Sequence, residues 1–206
     1  MAKKATVEVV SSTGVAEIDV RIDGLSPLIP HNILVSLDPD HLLSKEVSKI
    51  TRKRSKDKTP SDRSRIKMLE WLSGAYTDDD GYVIVPGANL EAMLRDGAKK
   101  VRLGKAFQSA VFVDGNPRLE FPDMKLTSDT LSEMEQYRLS VPVKVGQAKV
   151  IRTRPLFREW ACAFKVQVDT SVVETEQVVE ALTTAGRIVG LMDWRPRNGR
   201  FAVTVK

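Results

Sequence analysis

Apolar residues alternate with polar ones near both ends of this 206-residue chain, and between those stretches they recur every third or fourth position. In TVEVVSSTGVAEIDVRIDG (6–24), Val7 and Val9, then Val15, Ile18, Val20 and Ile22, flank a Ser-Ser-Thr-Gly break. That pattern predicts a strand, or a hairpin, entering the core. Pro27 and Pro30 end it, and 38–50 predicts a short helix. Residues 49–62 have almost no apolar content and predict a mobile connection. From Asp62 a helix is expected, with Ile66, Leu69 and Leu72 on one face and Gly74 at its end. Residues 75–87 read as a hairpin turning at Asp80-Gly81. The stretch 87–103 is an amphipathic helix: Leu90, Met93, Leu94, Ala98 and Val101 share a face, and Arg95, Lys99, Lys100 and Arg102 decorate the rest.

The second half continues with a strand at 106–113 and a polar stretch to about 140, where Thr130-x-x-Glu133 reads as a capping box opening a short helix. Residues 141–154 and 157–169 predict two strands joined through Pro155. Ser171-x-x-Glu174 predicts a capped helix with Val178, Leu182, Ala185 and Val189 inward, and FAVTV closes the chain as a strand. Reduced to its core, the order approaches an α+β, ferredoxin-like (RRM-like) βαββαβ unit with a large insertion between the first strand and the first core helix. The expectation is one domain over 1–206, with 31–85 as the inserted excursion. Such a sheet leaves one face free, a surface that nucleic-acid binders use.

Charge changes the picture through its location. Residues 44–67 hold ten Lys/Arg against Glu46, Asp57 and Asp62, a net of +7 in a chain of net +5, so the remainder is net −2. A flexible basic arm over 44–67 that meets a polyanion, with Arg52, Lys53 and Arg54 at its centre, is one reading; a solvated linker is the other. No apolar run reaches transmembrane length and the N-terminus lacks a signal core, so a cytoplasmic protein with no membrane partner is expected. Cys162 is the lone cysteine, in the apolar run WACAFKV, which suits a buried inert thiol. With only His31 and His41 beside it, no metal site and no cofactor are expected. Asp78-Asp79-Asp80 has carboxylates enough for a cation, but in a strand they would alternate in direction, and DDDG is turn chemistry.

The most basic and most turn-prone stretch is GLMDWRPRNGRFAV (190–203), between the last helix and the last strand. Gly190 and Gly199 permit close backbone approach, Arg195, Arg197 and Arg200 suit phosphates or bases, and Trp194 offers a stacking face. Alternatively, Trp194 plugs the core and the arginines pair with Asp193 and its neighbours. Pro86–Asn89 opens a helix whose N–H groups suit a phosphate, with Asn89 as a neutral donor and Glu91 opposing that role. Arg152 and Arg154 share one strand face, and Lys99, Lys100, Arg102 and Lys105 flank the same expected groove.

Two of these stretches resemble the RAMP superfamily, the repeat-associated proteins that build CRISPR effector complexes. VPGANLEAMLR (85–95) is similar to that family's IPGSSLKGALR, keeping Pro86, Gly87, Leu90, Leu94 and Arg95. GLMDWRPRNGRFAV resembles the family's glycine-rich loop, GLGGKRSRGFGRV in form, through Gly190, Leu191, Arg195, Arg197, Gly199, Arg200 and Val203. Met192-Asp193-Trp194 replaces its central glycines and Pro196 its small residue. The resemblance implies a CRISPR backbone-subunit-like protein, or a stand-alone, phage-encoded relative, that coats single-stranded nucleic acid.

The expected function is therefore non-enzymatic: sequence-independent binding of single-stranded RNA or DNA, with assembly along the strand as a homo-oligomer or as a subunit of a nucleoprotein. Two alternatives stay open. One is a RAMP-type, metal-independent endoribonuclease using His31 as acid or base. The other is a protein-interaction module.

Overall fold

Strand β1 (Val15–Gly24) buries Ala16, Ile18, Val20 and Ile22 and turns Glu17, Asp19 and Arg21 outward, as a period of two demands. The structure, a computed structural model, describes residues 14–205, so the strand expected at Val7 and Val9 lies outside the described residues. After β1 come helices α1 (Ile33–Leu37), α2 (Leu42–Thr51), α3 (Pro60–Gly74), α4 (Gly87–Lys99) and α5 (Gly104–Ala110), then β2 (Val111–Val113) and α6 (Ser128–Glu133). The chain continues as β3 (Arg138–Val145), β4 (Ala148–Pro155), β5 (Ala161–Asp169), α7 (Thr175–Thr184) and β6 (Phe201–Val205). The chain divides into two compact units. Of the described residues, the first holds 14–28, 84–122 and 158–205; the second holds 29–83 and 123–157.

The first unit is α+β. Its four-stranded sheet has the order β2–β5–β1–β6, and every neighbouring pair is antiparallel. Val20 stands opposite Phe164 of β5 and Val205 of β6, and Val111 opposite Val168. Leu90, Met93 and Leu94 of α4 and Val178, Ala181 and Leu182 of α7 are buried with the inner residues of these strands. Each large apolar side chain so buried contributes about 1.5–3 kcal/mol. The strand expected over 106–113 is mostly helix, because Phe107 and Ala110 are buried three apart, on one side of α5, and only 111–113 extends. Helix α7 is capped by Glu174 with Gln177, not from Ser171, which instead donates from its N–H and Oγ to Asp169 Oδ1.

The outer face of this sheet is mostly charged and polar, with one exposed aromatic ring, Phe112 of β2, opposite Gln167. It carries Glu17, Asp19, Arg21 and Asp23 on β1, Ala163, Lys165 and Gln167 on β5, Ala202 and Thr204 on β6, and Phe112 on β2. Lys165 pairs with Glu17 at 3.0 Å and Asp19 at 3.7 Å, and Arg21 with Asp23 at 3.0 Å and Glu120 at 2.8 Å. Its cations are thus spent on its own carboxylates.

The second unit packs α1–α3 and α6 with the β3–β4 hairpin around Leu69, Trp71, Leu131, Tyr137 and Phe157. The Trp71 indole donates to the Tyr137 carbonyl at 2.7 Å and meets Phe157 edge-on, with ring centres 6.4 Å apart. Residues 141–154, expected as one strand, instead belong to two, which fold back through a two-residue turn with Gly146 at φ 59°. The capping box expected at Thr130 is absent, since Thr130 lies inside α6, which starts after Thr127. Nor is 44–67 an unstructured arm. The Thr59 hydroxyl and the Asp62 carboxylate cap α3 reciprocally, Pro60 starts it, Lys53 reaches Asp62 at 2.8 Å, and Arg65 pairs with Glu46 at 2.8 Å.

Candidate nucleic-acid interface

The 190–200 loop of the first unit is fixed at its base and exposed at its tip. After α7 a π turn (Ala185–Val189) leads into Gly190, whose N–H donates to the Ala185 carbonyl at 2.8 Å. Leu191 N–H donates to the Gly199 carbonyl at 2.8 Å, and Gly199 N–H to the Pro27 carbonyl at 2.9 Å. Arg200 N–H donates to Ser26 Oγ at 2.9 Å, while its carbonyl accepts from Leu25 N–H at 2.7 Å. Gly190 (φ 80°) and Gly199 (φ 71°) are left-handed, and a Cβ on Gly199 would overlap the Leu191 carbonyl. Leu191 and Phe201 are buried at the two ends, and Phe201 meets the Trp160 ring edge-on.

Between those anchors Trp194, Arg195 and Arg197 are exposed. Trp194 is 40% exposed, with φ 56°, so it does not plug the core. The same loop touches α4: Asn89 Nδ2 donates to Met192 Sδ at 3.6 Å, and Arg195 Nη1 lies 3.7 Å from Asp96 Oδ2. Asp96 also accepts from Lys99 Nζ at 2.8 Å. One turn further, Arg95, Lys99, Arg102, Gly104, Lys105 and Gln108 line an open groove of about 500 Å³, where the chain reverses from α4 into α5 at Arg102, φ 65°. Arg95, Lys99 and Arg195 are thereby brought around a single carboxylate.

Asp96 was not singled out from the sequence, although its i,i+3 spacing to Lys99 was visible. Burial pushes its carboxyl up, but the Lys99 hydrogen bond and charge, with Arg195 and Arg95, hold it below the ordinary value of 3.8. A lowered carboxylate stabilises the folded form above its ordinary value, and that contribution is lost as pH falls through the folded value. The link from loop to helix is therefore intact at neutral pH and released only in strong acid. Asp96→Asn removes the one carboxylate among these cations and is expected to tighten polyanion binding a few-fold, about 0.5–1 kcal/mol. A fluorescence anisotropy titration at low salt reads this. Weaker binding instead would mean that Asp96 chiefly serves to hold Arg195 in place.

Other expected contacts are differently employed. At Pro86–Asn89 the Gly87 N–H donates to Asn116 Oδ1 at 2.9 Å, and Glu91 Oε1 accepts the Val113 N–H at 3.0 Å. This helix start is occupied by its own protein, and Asn89 acts as a strut for the loop. Arg52, Lys53, Arg54, Arg152 and Arg154 belong to the second unit. There Lys53 is held by Asp62, and Arg152 Nη1 donates to Glu70 Oε1 at 2.6 Å, so Arg152 is half of an internal pair. Arg52 and Arg54 are exposed, as are Arg197 and Arg200 of the loop.

Asp78 serves a turn, its Oδ1 accepting from Tyr82 N–H at 2.8 Å, and no group of three or more His, Cys, Asp or Glu among the described residues is placed to hold a metal ion. Cys162 is buried, and burial, with Glu120 adding to it, pushes its thiol up to about 12, which leaves it protonated and unreactive. No helix among the described residues is long and apolar enough to cross a membrane. No model of a known protein family matches the chain, and no curated protein matches it either.

Proposed function

We propose that the first unit binds single-stranded nucleic acid, RNA or DNA, without reading its sequence, through the 190–200 loop and the α4–α5 groove. The carrying observation is a stacking side chain and arginines on an exposed loop tip whose base is tied by backbone hydrogen bonds at Gly190, Leu191, Gly199 and Arg200. A tip held this way loses little conformational freedom on binding. Phosphate contacts from guanidinium groups supply affinity without base preference, and an exposed indole stacks on any base. Strands 15–24, 111–113, 161–169 and 201–205 with helices α4 and α7 follow a βαββαβ order, and the sheet order β2–β5–β1–β6 supports a ferredoxin-like reading. The loop between the last helix and the last strand, and the Pro86–Gly87 start of α4, supply the topological context that a RAMP relationship needs. In this proposal the protein is a non-enzymatic coat that assembles along its strand.

The test is anisotropy of labelled single strands of differing sequence against a duplex, at low salt. Similar affinities for all single strands are expected, with weaker binding to the duplex; no binding to any strand overturns the proposal. The same strands, run on a denaturing gel, are expected uncut, and cutting that His31→Ala abolishes would favour the endoribonuclease.

Trp194→Ala is expected to weaken single-strand binding by roughly 1–3 kcal/mol with little change in thermal stability, because the indole is 40% exposed. Unfolding of the variant while its folded fraction binds normally would make Trp194 a structural residue.

A further inference from the structure

We infer that the second unit carries a separate binding cavity for a small phosphomonoester with a hydroxyl-bearing body, a nucleotide or a sugar phosphate. This inference does not rest on the nucleic-acid reading of the first unit. The cavity, about 400 Å³, is walled by His31, Ser44, Ser73, Glu70, Arg152 and Arg154, from the segment before α1, from α2, α3 and β4. Its volume lies in the range of small-molecule sites, about 300–1,000 Å³.

The chemistry of the walls selects the ligand. Arg152 and Arg154 stand two apart on β4, so both side chains leave one face of the strand, and both residues line the cavity. Among the residues that line the cavity the carboxylate is Glu70, whose side chain is only 10% exposed. Its Oε1 accepts from Arg152 Nη1 at 2.6 Å and its Oε2 from the Thr153 N–H at 2.8 Å, so it fixes the direction of Arg152. An oriented guanidinium fork such as that of Arg152 matches the oxygens of a phosphate, and two arginines with one carboxylate make the lining net positive.

Two of the other polar wall groups ask for something more than inorganic phosphate. Ser44 Oγ donates to the Val35 carbonyl at 2.6 Å and Ser73 Oγ to the Leu69 carbonyl at 2.7 Å. With their protons committed, both hydroxyls offer the cavity only acceptor lone pairs, which call for donors on the ligand. Val47 and Val143 add apolar surface for the body that carries those donors. An anionic end, hydroxyl or amino donors and a compact body together describe a phosphorylated sugar or nucleoside.

Thermal denaturation of the full chain at constant ionic strength, with inorganic phosphate, ribose 5-phosphate and a nucleoside 5′-monophosphate, tests this. Both organic phosphates are expected to raise Tm saturably and to bind about tenfold or more tighter than inorganic phosphate. A larger shift with the nucleotide means that the base is also held; equal shifts mean that the sugar phosphate is what is recognised. Arg154→Gln is expected to weaken the effect by about tenfold or more. Ser48→Trp places a bulky ring on an exposed wall position of α2 and is expected to block entry without touching the core. The Arg195/Arg197/Arg200→Gln variant is expected to keep the full shift. The inference is overturned if no phosphomonoester shifts Tm beyond a chloride control. It is also overturned if both cavity variants bind like the parent, or if the shift disappears with the loop arginines.

Discussion

Replacing Arg195, Arg197 and Arg200 together with glutamine is expected to flatten the log–log salt dependence of single-strand binding by about two units. Each guanidinium that neutralises a phosphate releases condensed counterions, and for single strands the slope is about −0.7 per phosphate. Affinity falls alike for every base sequence, because phosphate contacts position a strand without reading it. Glutamine keeps hydrogen-bonding capacity, and the three positions are exposed, so a folding defect is a poor imitation of this result. The loop base depends on backbone groups, Arg200 included, and the substitution leaves them in place. Anisotropy titrations across a salt series measure the slope. An unchanged slope would place these arginines in contacts within the protein and reduce the loop to a connection.

The second large effect concerns stability. Trp71→Ala is expected to cost about 3–5 kcal/mol, as for other fully buried aromatic side chains cut to alanine. Trp71 has no exposure, packs on Phe157 and satisfies the Tyr137 carbonyl. Trp71→Phe separates the two contributions: it keeps most of the apolar contact and loses only the indole hydrogen bond, at about 0.5–1.5 kcal/mol, because the Tyr137 carbonyl still accepts from the Leu156 N–H at 2.9 Å. Urea denaturation followed by circular dichroism reads both variants without relying on the indole that is removed. The loop and groove belong to the first unit, so folded Trp71→Ala protein is expected to bind single strands with the parent's salt slope. A loss below about 1 kcal/mol for Trp71→Ala would contradict a packed second core.

The helix and strand signals that proved legible were local ones. Period-two burial in β1 and the apolar stripe of α4 follow from spacing alone, as does the Asp80-Gly81 turn. The capping box of Thr59 and Asp62, with Pro60 at the first helical position, was equally local, but the charge run around it has the composition of a disordered segment. The Gly146-Gln147 turn was local too, yet Val143, Val150 and Ile151 read as one continuous strand.

Pairing was another matter. Strand β5 lies between β1 and β2, and nothing in 141–169 distinguishes a partner within that stretch from one 138 to 154 positions away. The same holds for charges. By itself the sequence determined which residues were basic, aromatic or conformationally free, because composition and spacing are properties of the chain. Only the tertiary structure decided that Arg152 is oriented by Glu70 and that Arg195 and Lys99 meet at Asp96. An ion pair is chosen by distance in space, and residues 82 or 99 positions apart become neighbours only when the elements carrying them pack.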